Sequence, residues 1–176
     1  MNQIAPCRIL FSPPDIKDLE IEEVKSVMES GWITTGPRTK KLEKELAKYV
    51  GLPVDAPNVV CLNSATASEE LNLRILGIGE GDEVLLPSYT YTSTASAVIH
   101  VGASVKFIDS QKGNYEMDYD AMEAAITENT KAIIPVDLGG IVCDYDRIYQ
   151  AIECKKHLFT PSGKTDLGNR IQGAMG

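Results

Sequence analysis

Residues 59–91 read VVCLNSATASEELNLRILGIGEGDEVLLPSYTY, and this stretch decides the fold. A short apolar run at Val59–Leu62 is followed by a turn of small residues, a helical stretch near 66–76 and a second apolar run at Glu83–Leu86. Short runs rich in Val, Ile and Leu are typical of strands that helices cover on both faces of a parallel sheet. The stretch therefore predicts strand, turn, helix and strand in succession.

The same rhythm continues towards the C-terminus. Further strands are predicted at Val105–Ile108 and Ala132–Val136, and further helices near 91–100, 118–127 and 144–156, with Asp118 as an N-cap. This alternation predicts an α/β fold with a mainly parallel sheet and flanking helices. From Phe159 onward the chain is polar and rich in turn residues, and we expect no further strand there.

Two helices are predicted before the first strand. The first runs from Asp18 to Ser30, with Asp18 as its cap and Gly31 in the left-handed position after its end. The second has Pro37 in its first turn and ends at Gly51. We expect residues 1–57 to form an N-terminal segment that holds both helices.

Composition and charge exclude several classes of protein. The chain has 176 residues and a net charge of -8, which argues against binding the phosphate backbone of a nucleic acid. Apolar runs stay far below the roughly 18 residues of a membrane span, and no secretory signal pattern begins the chain, so we expect a cytoplasmic protein. Its four cysteines and two histidines match no familiar zinc spacing, so we expect no metal site.

The turn Asn63–Ser68 is the first candidate for chemistry. It leaves an apolar run and opens a helix, and its small residues let a ligand approach the backbone. The unpaired amides of a helix's first turn and the helix dipole favour an anion, and the Ser64 and Thr66 hydroxyls are further donors, so the turn predicts a phosphate site. The alternative is that Ser64 or Thr66 serves only as an N-cap.

The chain resembles the DegT-type sugar aminotransferases, which are pyridoxal 5'-phosphate (PLP) enzymes of the aspartate-aminotransferase-like fold type I. Their usual pattern is a Ser-Gly-Thr-Ala turn, a Leu-Gly-Ile ending, Gly-Asp-Glu-Val and then Pro-Ser-aromatic-Thr-aromatic, matched here within residues 59–91. Residues 30–37 (SGWITTGP) and 133–140 (IIPVDLGG) also match. The resemblance spans residues 10–157, and it implies that residues 58–176 are the N-terminal portion of a PLP-binding large domain.

The resemblance assigns the cofactor site. It implies that Ala65, Thr66 and Ala67 cradle the PLP phosphate, with Ala65 standing where the family usually has glycine. It also implies that the Tyr91 ring stacks on the pyridine ring of the cofactor, where a flat aromatic face is suitable. Without the surrounding match, Tyr91 would be interpreted as an ordinary core tyrosine.

The resemblance also implies a substrate site. Trp32, Thr34 and Thr35 match a loop near the substrate pocket, and an indole with hydroxyl groups suits a sugar nucleotide; the alternative is that Trp32 packs against the two helices. Asp137 stands where the family often has histidine, and the interpretation we prefer is that it caps the turn before Gly139-Gly140.

PLP-dependent amino transfer needs a lysine that binds the cofactor covalently and a carboxylate that keeps the pyridine nitrogen protonated. In the family the aspartate lies on the strand after the helix near 144–156, and the lysine follows in a Ser-x-x-Lys segment. This sequence contains no Ser-x-x-Lys. We therefore expect both catalytic residues beyond residue 176 and expect no transamination by this chain alone.

For the whole enzyme, the resemblance implies transfer of an amino group from glutamate to a keto carbon of a nucleotide-linked sugar, by a homodimer. Three alternatives remain open. One is dehydration of the sugar, which some family members perform. Another is a non-catalytic α/β module that binds a phosphorylated ligand at Ser64–Ala67. The third is an inert fragment.

Overall fold

The structure, a computed structural model, describes residues 12–54 and 58–175. It divides the chain into two units, Met1–Cys61 and Leu62–Gly176. Most of the segment before the first helix, including Cys7, lies outside the described residues. Within the described ranges, no helix combines the length and the apolar character that crossing a membrane requires.

The first helix, α1, spans Asp18–Ser30, as predicted. Gly31 follows it with φ 71°, which confirms the predicted left-handed position. The prediction that Asp18 caps the helix is wrong, because the chain is already helical there and the N-cap is Lys17. The Lys17 amide donates to Glu20 Oε2 at 2.8 Å, so the acceptor comes from the helix's third residue.

The second helix, α2, spans Pro37–Tyr49 and begins with the predicted proline. Glu43 on this helix is only 8% exposed. Its carboxylate accepts from Lys40 Nζ at 2.8 Å and from the Cys61 amide at 3.0 Å. These two hydrogen bonds lower the pKa of Glu43 below its ordinary value, and the bond from Lys40 has the larger effect. The same carboxylate therefore ties the helix to the segment that leaves this unit.

The predicted strand at Val59–Leu62 is wrong. Within the described residues this segment pairs with no strand. The Cys61 amide donates to the Glu43 carboxylate, so it is not free for a strand ladder. An apolar run becomes a strand only where a neighbouring strand takes up its backbone hydrogen bonds.

The second unit alternates helices and strands, which confirms the predicted α/β class. Its elements are α3 (Ala65–Ile75), β1 (Glu83–Pro87), α4 (Thr92–His100), β2 (Ser104–Ile108), α5 (Tyr119–Ala125), β3 (Thr130–Ile133), α6 (Tyr145–Lys155) and α7 (Asp166–Met175). Short 3₁₀ turns lie at Leu138–Gly140 and Lys156–Leu158. The third strand begins and ends earlier than the predicted Ala132–Val136.

The three strands form a parallel sheet in the order β2-β1-β3. Leu85 at the centre of β1 is in register with Lys106 on one side and Ile133 on the other. The predicted cap of α5 is confirmed, because the Asp118 carboxylate accepts from the amides of Asp120 and Ala121 at 3.0 and 2.9 Å.

Successive residues of β1 supply two separate cores. Val84 and Leu86 face one side, where they pack with Leu73 of α3 and with Ala97 and Val98 of α4. Leu85 faces the other side, in a cluster with Met122 of α5 and with Ile148 and Ala151 of α6. Because side chains alternate along a strand, a uniformly apolar β1 requires helices on both faces, as the sequence predicts.

The C-terminal segment contains a helix, α7, that was not predicted. Lys164 forms an ion pair with Asp82, a residue only 5% exposed that also accepts the Gly79 amide at 2.9 Å. A Cβ at Gly168 would lie 2.5 Å from the Leu76 carbonyl oxygen, so this close approach requires glycine. Contacts distant in sequence therefore hold a segment whose local pattern is weak.

Candidate functional site

The turn before α3 is an exposed helix N-terminus. Ser64 is the N-cap, with an extended backbone, and its Oγ accepts the Ala67 amide at 3.1 Å. The Ser64 carbonyl accepts the Ser68 amide at 3.2 Å. The N-cap role considered as an alternative for Ser64 is therefore present, and it occupies one of the amides expected to face an anion.

Two amides of this turn have no protein acceptor within residues 12–54 and 58–175. Among the described residues, neither Ala65 nor Thr66 donates its amide to a protein acceptor. Both amides belong to the first turn of a helix, where the macrodipole adds partial positive charge. The Thr66 hydroxyl is a third donor at the same place. This end of α3 is thus chemically suited to a phosphate group.

Helices α3 and α4 contact each other, and their C-terminal ends lie together, from which we infer that they run in the same direction. Near their C-terminal ends, an Arg74 guanidinium nitrogen donates to the His100 carbonyl at 3.2 Å, and His100 Nδ1 lies 3.0 Å from Glu70 Oε2. Since α4 follows β1 directly, the N-termini of both helices lie at the carboxyl end of β1. Tyr91, the N-cap of α4, therefore belongs to the same end of the unit as the Ser64 turn.

Tyr91 is 80% exposed, so the alternative of an ordinary core tyrosine is wrong. The nearby Tyr89 is 55% exposed, and its ring stacks on that of Tyr115 with a centroid distance of 5.1 Å and an interplanar angle of 24°. Tyr115 comes from the loop after β2. No local pattern in the sequence indicates this pair, because its members are far apart along the chain.

Asp137 follows β3 at the same edge of the sheet. Its Oδ1 accepts the Cys143 amide at 2.9 Å, and the Tyr145 hydroxyl donates to both carboxylate oxygens at 3.3 Å. The Cys143 amide is the main cause that lowers the pKa of Asp137. The carboxylate therefore closes the loop from 137 to 143. The prediction that it caps the turn before Gly139-Gly140 is wrong, because among the described residues the Asp137 side chain makes no cap hydrogen bond to the 3₁₀ turn at Leu138–Gly140.

The loop between α1 and α2 borders a cavity of about 310 Å³ within the first unit. Trp32 Nε1 donates to the Thr35 carbonyl at 3.2 Å, and the indole lies so close to Gly36 that a Cβ there would overlap it. Thr35 thus fixes the indole through its backbone. The cavity is lined by Val27, Ser30, Trp32, Ile33, Thr34, Gly36, Pro37, Arg38 and Thr39.

The side chains that could bind a metal ion lie apart from one another in the part of the chain that the structure describes. No His, Cys, Asp and Glu side chains come together there as a group of three or more able to hold a metal ion. The features that do converge are an anion-accepting helix N-terminus and exposed aromatic rings at one end of a parallel α/β sheet. A helix N-terminus suits a phosphate group and an exposed aromatic face suits a planar ring, so this end of the sheet suits a ligand that has both.

Comparison with known proteins identifies the family. A family model described as the DegT/DnrJ/EryC1/StrS aminotransferase family matches residues 14–159, and the chain belongs to this family. The spore coat polysaccharide biosynthesis protein SpsC of Bacillus subtilis is 44% identical over 138 residues, which cover 78% of this chain and 34% of that protein.

Two further relatives agree with this assignment. The UDP-4-amino-4-deoxy-L-arabinose--oxoglutarate aminotransferase of Shewanella sediminis is 43% identical over 149 residues, covering 84% of this chain and 36% of that protein. Spr1654 of Streptococcus pneumoniae, described as a sugar aminotransferase and solved in its PLP form, is 56% identical with a TM-score of 0.82. The match covers 89% of this chain and 39% of that structure. The chain thus spans only about a third of its curated relatives, and PLP is the cofactor of its family.

Proposed function

We propose that this chain is the part of a PLP-dependent aminotransferase that binds the cofactor's phosphate and ring. The observation that carries the proposal is the pair of Ala65 and Thr66 amides, which lack a protein acceptor among the described residues, at the same end of the sheet as the exposed Tyr91 ring. The whole enzyme transfers an amino group from glutamate to a keto carbon of a nucleotide-linked sugar, as a cytoplasmic homodimer.

The name of the Shewanella relative supports the proposed substrates. That enzyme is named for a UDP-linked amino sugar and for oxoglutarate. Glutamate becomes oxoglutarate when it gives up its amino group, so glutamate is the matching donor. The 176 residues contain no Ser-x-x-Lys, and we propose that neither the catalytic lysine nor its aspartate partner is among them.

PLP supplies an electron sink for the reaction when it is bound. The Ala65 and Thr66 amides and the Thr66 hydroxyl would bind its phosphate, and the dipole of α3 would favour the negative charge. The Ala67 amide already donates to Ser64 Oγ, so the contribution of Ala67 to the site would be its small side chain. The Tyr91 ring would cover one face of the pyridine ring, which would orient the cofactor and exclude water.

Trp32 and Thr34 are proposed to bind the sugar nucleotide. Both line the cavity of the first unit, where an indole face and a hydroxyl suit the apolar face and hydroxyl groups of a sugar. Thr35 acts through its backbone, since its carbonyl accepts from the indole nitrogen of Trp32. Replacing Trp32 should therefore also release the loop that Thr35 belongs to.

The cofactor proposal is tested by removing a single amide. Ala65 is the first residue of α3, where proline is tolerated, and the extended backbone of Ser64 suits the position before a proline. Ala65→Pro therefore deletes one N–H without ending the helix. A hydrogen bond to a charged group is worth about 1.5–3 kcal/mol, so affinity for pyridoxine 5'-phosphate should fall by about tenfold or more.

Pyridoxine 5'-phosphate is the preferred probe because it lacks the aldehyde of PLP and cannot react with lysines. Binding is measured by isothermal titration calorimetry, and folding by thermal denaturation. The control is Ala65→Gly, which keeps the amide and provides the residue usual in the family. Equal affinities for the proline and glycine variants would contradict the proposed phosphate site.

The chain alone is expected not to transaminate. After incubation with PLP and reduction by borohydride, mass spectrometry should find no lysine labelled stoichiometrically. Full labelling of a single lysine would contradict the placement of the catalytic lysine outside this chain. A phosphate-binding module without PLP chemistry would instead bind inorganic phosphate and pyridoxine 5'-phosphate equally well.

A further inference from the structure

The segment Ser88–Tyr91, which joins β1 to α4, carries two exposed tyrosines. Its first residue is fixed, because the Ser88 amide donates to the Ile108 carbonyl at 2.7 Å. Its end is fixed by the start of α4, where the Thr94 amide donates to the Tyr91 carbonyl at 3.2 Å. Among the described residues, the side chain of Tyr89 has one aromatic partner, Tyr115. Thr90 Oγ1 also lies 3.1 Å from Thr94 Oγ1 of α4, so the stack is one of two side-chain contacts that hold the middle of the segment among the described residues.

Tyr115 offers a fixed platform because its own loop is closed by hydrogen bonds. The Gln111 amide donates to the Glu116 carbonyl at 2.9 Å, and the Glu116 amide to Asn114 Oδ1 at 2.9 Å. The neighbouring Met117 is 2% exposed and anchors the loop in the core below α5. Because this loop is fixed, the Tyr115 ring restrains the Tyr89 ring that stacks on it.

Tyr115 contributes little to the stability of the fold. The residue is 59% exposed, and its partner Tyr89 is 55% exposed, so the pair lies outside both cores. The two rings stack on each other at the surface, at the carboxyl end of the sheet. Their contact restricts the mobility of the segment from Tyr89 to the start of α4. That segment ends in Tyr91.

We propose that Tyr115 is a positioning residue for the cofactor ring: stacked on Tyr89, it holds the Ser88–Tyr91 segment so that the Tyr91 ring meets the pyridine ring of PLP. The proposal rests on the proposed function, because it requires that PLP binds at this end of the sheet. Tyr115 itself does not touch the cofactor. It reduces the conformational freedom that Tyr91 would lose on binding.

The test compares two ligands and two variants. Tyr115→Ala removes the stack, and Tyr115→Phe keeps it. An aromatic pair contributes enough to change affinity by about three- to tenfold, so Tyr115→Ala should weaken pyridoxine 5'-phosphate binding by that factor. Its affinity for inorganic phosphate should stay unchanged, because phosphate meets only the α3 turn. Tyr115→Phe should bind both ligands like the parent.

A double-mutant cycle shows whether Tyr115 acts through Tyr91. In a Tyr91→Ala background, the further change Tyr115→Ala should have no effect on pyridoxine 5'-phosphate binding. A full effect in that background would overturn the proposal, and so would equal weakening of both ligands by Tyr115→Ala alone. If the parent chain binds pyridoxine 5'-phosphate no better than inorganic phosphate, the proposed function itself fails. If the parent chain binds pyridoxine 5'-phosphate more tightly than inorganic phosphate but Tyr115→Ala leaves both affinities unchanged, only the positioning role fails.

Discussion

Replacing Ser64 with aspartate separates the capping role of this residue from its place beside a phosphate. Ser64 Oγ accepts the Ala67 amide at 3.1 Å, and Asp, Asn and Ser are about equally good N-caps. Ser64→Asp and Ser64→Asn should therefore keep α3 intact, with melting temperatures within about 2 °C of the parent. Ser64→Ala, which removes the acceptor, should cost about 1 kcal/mol of stability.

The binding effect of Ser64→Asp follows from its charge. A carboxylate that accepts the Ala67 amide and a phosphate that accepts the Ala65 and Thr66 amides share one helical turn, so they would lie about 4 Å apart. Two unit charges at that distance repel by about 1 kcal/mol in water, and a phosphate monoester carries nearly two charges. The resulting loss of about 2 kcal/mol weakens binding about 30-fold.

Calorimetric titration with pyridoxine 5'-phosphate measures this effect, and Ser64→Asn is the matched neutral control. The difference in affinity between the two variants should become smaller as salt is added, because mobile ions screen the repulsion. If Ser64→Asp and Ser64→Asn bind the ligand with the same affinity at low salt, no phosphate lies at the N-terminus of α3. The reasoning about this turn would then be refuted.

Three further variants test the fold. Leu86→Ala empties a fully buried site in β1 and should cost about 2–5 kcal/mol, read as a lower urea midpoint. Glu43→Gln should be less stable than the parent at neutral pH, because the hydrogen bond from Lys40 lowers the pKa of Glu43 and the ionised carboxylate stabilises the fold. This stability is lost as the pH falls through the lowered pKa. The free energies of unfolding of the two proteins, measured in urea at several pH values, should therefore become equal in acid. Asp82→Asn removes the charge facing Lys164 and should cost about 1.5–3 kcal/mol, seen as faster hydrogen exchange in the C-terminal segment.

Most of the fold follows from local sequence signals. The helices α1, α2 and α5 begin or end where Gly31, Pro37 and Asp118 predict, because each of these residues has a backbone geometry or a side chain that only a helix boundary uses well. The central strand follows from the apolar run in β1, which has cores on both faces. Such signals need no knowledge of the tertiary structure.

Two elements depend on distant contacts, and these were the ones mispredicted. The run at Val59–Leu62 is as apolar as a strand, but Glu43 takes the Cys61 amide from another part of the chain. Helix α7 contains a glycine at 168, which weakens its helical pattern, yet that same glycine lets it approach Leu76. Neither the competition for an amide nor the close approach is visible in a window of neighbouring residues.

The candidate site divides in the same way. The turn at Ser64–Ala67 was found from its small residues and its place at the start of a helix, although the sequence left open whether Ser64 only caps it. The stack of Tyr89 on Tyr115 was missed, because it joins two loops that only the parallel pairing of β1 and β2 brings together.

The order of the strands gives a separate argument for the position of the site. From β1 the chain passes through α4 to β2 on one side, and then through α5 on the opposite face to β3 on the other side. In open α/β sheets, ligands bind outside the carboxyl ends of the strands where the order reverses in this way. Here the reversal lies between β1 and β3, so the Ser88–Tyr91 segment and Asp137 flank it. The Ala65 and Thr66 amides, which have no protein acceptor among the described residues, lie at the N-terminus of α3, at that same end of the sheet.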